Sequence, residues 1–356
     1  MKGSKYWRVL CIGTILVVAS LGVASCQPKA ATTAGTVYYL APVLSDEYQV
    51  GSQLFIEKYG QEKGYTVKTL MANNNATTQI SQMEDAMAQK PLAIILNAVD
   101  ANMIAATVEK ARAEGIIVEA YDRPIPTGTV DLTTSASTVI MGRVAGERIV
   151  LFLQKKNGAA KGVVLEIVGD PADYNAVYMD QGFMEIMTQY PDIEVIRRDA
   201  QGWETTSASS VLDDQLTARG DEIEALFAHL DAWMPAMANV LQAHGYTVGD
   251  PRLFIIGQGG TPTGLESIRS GWLQEIVDYP MSPEYKSMFD YLDELKAGTK
   301  IVAGTYVVDG FTNEVRIDDW GPTVWVGAEV ISKAGGDGTL SVDDPSLWGN
   351  VKVPAQ

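Results

Sequence analysis

The sequence predicts an α/β fold made of two doubly wound lobes, each a parallel β-sheet covered by helices on both faces. Short apolar runs alternate with segments whose apolar residues recur at helical spacing. The runs are continuous rather than alternating, which is typical of parallel strands buried on both faces. The pattern also restarts halfway along the chain, which fits two lobes better than one. A closed eight-stranded βα barrel is the structural alternative.

The first half of the alternation contains four predicted strands and two clear helical faces. The strands are residues 37–41, 66–70, 92–96 and 116–120. The helical faces are formed by Ala76, Ile80, Met83 and Met87, and by Ile104, Val108 and Ala111. Gly64 and Gly115 stand where a helix ends and the next strand begins, as C-terminal capping glycines do.

The second half repeats this arrangement. Its predicted strands are residues 163–168, 194–197, 225–228, 254–257 and 273–277. Its helical faces are formed by Met179, Phe183, Ile186 and Tyr190, and by Trp233, Met237 and Val240. Such regular alternation implies parallel strands joined by right-handed crossovers.

The chain is predicted to cross between the lobes three times, near residues 135–137, near Asp278 and near residues 305–309. The pattern restarts after the polar stretch 133–138, and the segment 307–333 lacks the strand–helix rhythm. The predicted N-terminal lobe is therefore 36–136 plus 279–306, and the C-terminal lobe is 137–278 plus 307–356.

The N-terminus predicts export and a lipid anchor. Three basic residues precede an apolar run over residues 9–23, which identifies 1–25 as a signal peptide. Small residues directly before Cys26 resemble the bacterial lipobox, whose cysteine is acylated by a fatty acid such as palmitate. Residues 26–35 then form a tether. An ordinary signal peptide with an incidental cysteine is the alternative.

Cysteine content and charge exclude several functions. The two cysteines are Cys11, inside the signal, and Cys26, so the mature chain has no thiol for a disulfide, a metal site or a nucleophile. The formal net charge of −17 would repel phosphate backbones, so we expect no nucleic acid partner.

Polar and aromatic residues follow the predicted strands, where open α/β sheets bind ligands. They include Glu47 and Tyr48, Asn73 to Asn75, Asn97, Tyr121 to Arg123, Asp170 to Asn175, Gln201 to Trp203, His229 to Trp233, and Gln258. Carboxylates, amides, an arginine and aromatic faces suit a neutral polyhydroxylated ligand. Helix capping is the alternative role for Asn75 and Asp170. Helix capping does not account for the adjacent acidic and basic pair Asp122–Arg123.

Three motifs in this sequence resemble those of a known family. Ala120-Tyr121-Asp122-Arg123, the segment Asp170 to Ala176, and Gly257-Gln258 resemble the sugar-binding proteins of bacterial ABC importers. The class is the type I periplasmic binding fold with a three-segment hinge, close to the ribose and xylose branch. The resemblance implies that the ligand is contacted by Tyr48, Asp122, Arg123, Asp173, Asn175, Trp203 and Asp231, with Gln258 beside the cleft. Gly259, Tyr279 and Leu230 depart from the family pattern.

These observations favour a binding protein over an enzyme. The chain has no Gly-x-Ser-x-Gly elbow and no Walker loop, and we expect no cofactor or metal. The leading hypothesis is a monomeric, lipid-anchored extracytoplasmic receptor that captures a monosaccharide or polyol for ABC permease and ATPase subunits. The alternatives are a sensor lipoprotein that binds a nucleoside or furanone-type signal, and a secreted α/β enzyme.

Overall fold

The computed structural model describes residues 34–45, 47–126, 129–308 and 311–351. The predicted signal peptide and the acylation site at Cys26 lie outside the described residues. Across the described ranges, no helix is long and apolar enough to cross a membrane.

The described chain alternates strands and helices through most of its length. The strands are β1 (Gly35–Ala41), β2 (Tyr65–Met71), β3 (Ala93–Leu96), β4 (Ile117–Tyr121), β5 (Leu132–Ala136), β6 (Gly162–Val168), β7 (Ile193–Asp199), β8 (Ile223–Ala228), β9 (Phe254–Gly259), β10 (Glu275–Asp278), β11 (Gly304–Val308), β12 (Phe311–Asp318), β13 (Gly321–Val326), β14 (Val330–Ser332) and β15 (Leu340–Ser341). The helices are α1 (Glu47–Glu62), α2 (Ala76–Ala88), α3 (Ala101–Ala113), α4 (Thr138–Asn157), α5 (Tyr174–Met187), α6 (Thr205–Arg219), α7 (Met234–Ala243), α8 (Pro262–Ser270) and α9 (Met281–Lys296).

The strands form two mainly parallel sheets, which confirms the predicted α/β fold class. The first sheet has the order β11-β12-β13-β5-β4-β3-β1-β2, and the second has the order β15-β14-β10-β9-β8-β6-β7. All the predicted strands are present, and their ends agree with the prediction to within two residues. The antiparallel pairs lie toward one end of each sheet, at β11–β12–β13 and at β10–β14.

Strand β5 was not predicted, because its sequence Leu-Thr-Thr-Ser-Ala looks like a polar linker. All five of its residues are buried between β4 and β13. Threonine is a good strand residue because its branched side chain packs well on a pleated surface. The polar composition therefore concealed this strand.

Strand pairing also differs from the predicted lobe boundaries. The prediction assigned residues 307–356 to the C-terminal lobe, but β12 and β13 belong to the first sheet. Val324 of β13 lies beside Thr134 of β5 in a parallel pair. An antiparallel meander needs no crossover helix, so this segment lacks the strand–helix rhythm while remaining in the first sheet. The division into lobes stays a prediction, with its third crossing moved to residues 327–329.

Two glycines bring α4 and α5 unusually close together. A methyl group on Gly142 would overlap the backbone oxygen of Met179, and one on Gly182 would overlap that of Val139. The absent side chains let the two helix backbones approach each other directly. This contact fixes α5, whose first turn carries part of the site described next.

Candidate ligand-binding site

One cavity of about 640 Å³ lies beyond the carboxyl ends of both sheets. Its wall from the first sheet includes Pro42, Glu47, Tyr48, Asn74, Asp122 and Arg123. Its wall from the second sheet includes Asp173, Asn175, Trp203, Leu230, Gln258 and Thr263. Loops that follow parallel strands meet at this edge, so residues distant in sequence converge here.

Asp122 is a buried polar residue of the cavity wall, held by two amide side chains. It follows β4 with a positive φ of 63°, and 4% of its surface is exposed. Its Oδ1 accepts a hydrogen bond from Nδ2 of Asn175 at 2.9 Å, and its Oδ2 accepts one from Nδ2 of Asn97 at 3.2 Å. Burial raises the pKa of the Asp122 carboxyl, while Arg123 acts in the opposite direction.

Arg123 reaches across the cavity toward the second sheet. Its Nη1 donates to the backbone oxygen of Ala98 at 3.2 Å, and its Nη2 lies 3.6 Å from Oδ2 of Asp173. Its buried Nε has no hydrogen-bond partner among the described residues. Burial opposes the charge of this guanidinium, but Asp122 and Asp173 outweigh it and raise the pKa of Arg123. A fixed positive charge therefore lines the cavity.

Asp173 and Trp203 form the opposite wall. Asp173 caps α5, because its Oδ1 accepts a hydrogen bond from the Asn175 backbone N–H at 2.9 Å. Its Oδ2 accepts one from the indole Nε1 of Trp203 at 3.2 Å. Trp203 itself has a positive φ of 58°, which is uncommon for a large residue. The turn that carries Trp203 is therefore strained, and it presents the indole to the cavity.

Tyr48 lines the cavity and is anchored by a chain of buried hydroxyl groups. Its hydroxyl lies 2.6 Å from that of Tyr121, which also contacts Ser52 Oγ at 2.9 Å and the Tyr285 hydroxyl at 2.5 Å. The Tyr48 ring meets that of Tyr279 edge to face, with centroids 4.9 Å apart. The first-sheet side of the cavity therefore has an aromatic wall held by hydrogen bonds and ring contacts.

Asp231 is the predicted site residue that the structure does not bring to the cavity. It is buried behind the wall, in the turn that follows β8, and it packs against the turn between β9 and α8. Its carboxylate accepts hydrogen bonds from the N–H groups of Gly260 at 2.8 Å and Thr261 at 3.0 Å, and from the Thr261 hydroxyl at 2.8 Å. Burial raises the pKa of Asp231 to about 7, against the effect of these hydrogen bonds. All three donors lie in the turn between β9 and α8, so Asp231 holds that turn in place from the neighbouring turn after β8. The other seven predicted residues line the cavity.

The structure adds residues to the eight that the resemblance implies, either in the cavity wall or directly behind it. Asn97 was visible as a polar residue at a strand end, but nothing in the sequence paired it with Asp122. Tyr279 lines the wall and points its hydroxyl at Asp122 Oδ1 at 3.3 Å. The sequence indicated Tyr279 only as a departure from the family pattern. Glu47 accepts hydrogen bonds from the backbone N–H and the hydroxyl of Thr263, at 3.3 and 2.8 Å.

The lining carries more negative than positive charge. Glu47, Asp122, Asp173 and Glu204 line the cavity together with Arg123. A negative wall of this kind disfavours phosphorylated or acidic ligands. Within the part of the chain that the structure describes, no cluster of three or more His, Cys, Asp or Glu side chains is arranged to hold a metal ion.

The family follows from this architecture and from a sequence match. Residues 37–300 match the family model described as "Periplasmic binding protein domain". The match spans most of the chain and both sheets, so the protein belongs to this family of binding proteins.

Individual relatives agree with that assignment. The chain is 26% identical to the D-xylose-binding periplasmic protein of Escherichia coli (strain K12), over 74% of this chain and 78% of that one. It is 27% identical to the ribose import binding protein of Bacillus subtilis (strain 168), over 75% and 83%. These relatives confirm the resemblance to the ribose and xylose branch, and both are named as binding proteins rather than enzymes.

A solved structure shares the fold. It is an ABC transporter periplasmic solute binding protein from Actinobacillus succinogenes, with bound D-allose. The TM-score is 0.70 and the sequence identity is 19%, with 84% of this chain and 97% of that chain covered. At this identity the likeness supports the two-sheet architecture alone.

Proposed function

We propose that this protein is a lipid-anchored, extracytoplasmic substrate-binding protein of an ABC importer. It captures a monosaccharide or polyol in the cavity between the two sheets and delivers it to a permease driven by an ATPase. The observation that carries the proposal is the cavity itself, since both walls contribute charged, amide and aromatic side chains. The family match and the sugar-binding relatives supply the ligand class.

Contacts across the cavity support a closing mechanism. Asp122 meets Asn175, Arg123 meets Asp173, and Glu47 meets Thr263; in each pair one residue follows a strand of the first sheet and the other follows a strand of the second. A ligand that hydrogen-bonds to both walls has a higher affinity for the closed arrangement than for an open one. It therefore shifts the population toward closure, which is the form that a transporter would recognise.

The ligand class is tested by thermal unfolding of residues 27–356 with D-xylose, D-ribose, D-allose and xylitol. A sugar present at 100 times its dissociation constant stabilises the folded protein by about 2.7 kcal/mol. Ribose 5-phosphate serves as the charged control, and we expect no stabilisation by it because the wall is acidic. If no sugar or polyol raises the melting temperature, the proposed ligand class is wrong.

The anchor is tested separately by the variant Cys26→Ala in the full-length chain. Cys26 is the only cysteine at the predicted cleavage site, so its loss should abolish incorporation of a palmitate analogue during metabolic labelling. Cys11→Ala is the matched control and should keep the label. Labelling that persists in Cys26→Ala would contradict the lipoprotein proposal without affecting the ligand proposal.

A further inference from the structure

The position of Trp203 depends on a buried glycine that does not itself line the cavity. Gly169 follows β6 and lies against the outer ring of the Trp203 indole. A methyl group added at Gly169 would overlap three atoms of that ring, Cζ2, Cη2 and Cζ3. The indole therefore occupies the space that any other residue at position 169 would fill.

The need for glycine here comes from packing and not from the backbone. Gly169 does not have a positive φ, so alanine would fit its backbone conformation without strain. The three atoms nearest to an added methyl group all belong to the Trp203 ring, so alanine would act first through that contact. Gly169→Ala therefore probes the contact with Trp203.

Three further contacts hold the same turn, so the indole cannot simply move aside. The N–H of Gly202 donates to Oδ2 of Asp170 at 2.7 Å, and the indole Nε1 donates to Oδ2 of Asp173 at 3.2 Å. The backbone oxygen of Trp203 also accepts a hydrogen bond from Trp233 Nε1 at 3.0 Å. A ring displaced at Gly169 would lose the Asp173 contact and move into the cavity.

We propose that Gly169 is a positioning residue for ligand binding, because it fixes the Trp203 indole in the cavity wall and so sets the width of the cavity on that side. Asp173 acts with it by holding the indole N–H. The effect of Gly169 on affinity rests on the proposed function, whereas its effect on the ring position does not.

The ring position is tested without ligand, by ¹⁹F NMR of residues 27–356 labelled with 5-fluorotryptophan. The Trp203 resonance is identified as the one that disappears in Trp203→Phe. We expect Gly169→Ala to shift this resonance. The matched control is Gly304→Ala, also at a glycine without a positive φ, where a methyl group would meet no atom within 4 Å. It should leave the resonance unchanged. An unshifted Trp203 resonance in Gly169→Ala would overturn the proposal, whatever the protein binds.

The effect on binding is tested by a double-mutant cycle with the tightest of D-xylose, D-ribose, D-allose and xylitol as the probe. Gly169→Ala should weaken binding at least about tenfold in the parent, because overpacking displaces the ring. In Trp203→Phe the shorter ring leaves room for the methyl group, so the same change should cost less than about threefold. Equal costs in both backgrounds would contradict the positioning role. Failure of all four probes to bind the parent would instead contradict the proposed ligand class, and the NMR result would still decide the ring position.

Discussion

Asp231 illustrates how far the identity of a single residue can be interpreted from sequence. An aspartate after a strand, in a family of sugar-binding proteins, was predicted to contact the ligand. The structure instead turns its carboxylate toward three donors in the turn before α8, about 30 residues further along the chain. Sequence shows which residue follows a strand, but it does not show which way the side chain turns.

The variant Asp231→Asn should change the pH dependence of stability. Folding raises the pKa of this carboxyl from 3.8 to about 7, so the folded state favours the protonated form. The stability contributed by this group is fully present below about pH 4 and is lost as the pH rises through 7. Asparagine does not titrate, so the variant should gain at least about 1 kcal/mol relative to the parent between pH 5 and pH 7.5. Urea unfolding at pH 5 and at pH 7.5 gives the free energy of unfolding of the variant and of the parent. If the difference between the two proteins is the same at both pH values, Asp231 is ionised throughout.

The same variant separates support of the turn from ligand contact. Because Asp231 lies behind the wall, Asp231→Asn should bind the sugar found by screening within about threefold of the parent. Isothermal titration calorimetry provides the affinity. A loss of tenfold or more would restore Asp231 to the predicted ligand contacts.

At the scale of elements, continuous apolar runs predict β1 to β4 and β6 to β10. They do not predict β5, although it is also a parallel strand, or the β11–β13 meander. Burial on both faces leaves a clear apolar run in β3, for example, whose sequence is Ala-Ile-Ile-Leu. Strand β5 is equally buried but is built from threonine and serine, and β11 is largely exposed at the edge of its sheet. In both cases the neighbouring strand, not the local pattern, determines the conformation.

The contact between Glu47 of α1 and Thr263 of α8 is expected to slow the dissociation of bound ligand. Thr263 lies in the first turn of α8, and its backbone N–H and its hydroxyl both donate to the Glu47 carboxylate. A carboxylate is favourably placed at a helix N-terminus. Thr263→Val removes the hydroxyl at constant shape. It should raise the dissociation rate of the bound sugar by roughly two- to tenfold, as expected for one hydrogen bond.

Stopped-flow measurement of ligand release tests this prediction. Thr217→Val, an exposed threonine of α6, is the matched control and should release ligand at the parental rate. Identical rates for Thr263→Val and the parent would mean that the Glu47–Thr263 contact does not stabilise the closed arrangement.

For the whole molecule, buried carboxyl groups should make the protein more stable in mild acid. Burial raises the pKa of Glu119, Glu166, Asp278 and Glu284 well above the ordinary values. Each group therefore contributes stability at low pH that is lost as the pH rises through its folded pKa. His229 acts in the opposite direction, since burial lowers its pKa to about 3 and its contribution is lost as the pH falls below 6.5.

Several acids oppose this single histidine, so we expect a higher melting temperature for the ligand-free protein at pH 5 than at pH 7.5. Differential scanning calorimetry at constant ionic strength measures the change. The net charge of −17 also becomes less negative as carboxylates are protonated, which reduces charge repulsion. The ionic strength is held constant so that the screening of this repulsion by salt is the same at both pH values. A melting temperature that falls from pH 7.5 to pH 5 would show that these carboxyl groups are ionised in the folded protein.

The central claim is that one ligand is held by residues from both sheets, and calorimetric titration of two single variants tests it most directly. Arg123→Ala removes a donor beside the first sheet, and Asn175→Ala removes an amide at the start of α5 beside the second. We predict that each weakens binding of the screened sugar at least about tenfold, because each leaves a ligand group without its partner. Arg143→Ala, at an exposed arginine paired with Glu185, should bind like the parent. Parental affinity in both Arg123→Ala and Asn175→Ala would contradict the claim that this cavity binds the ligand.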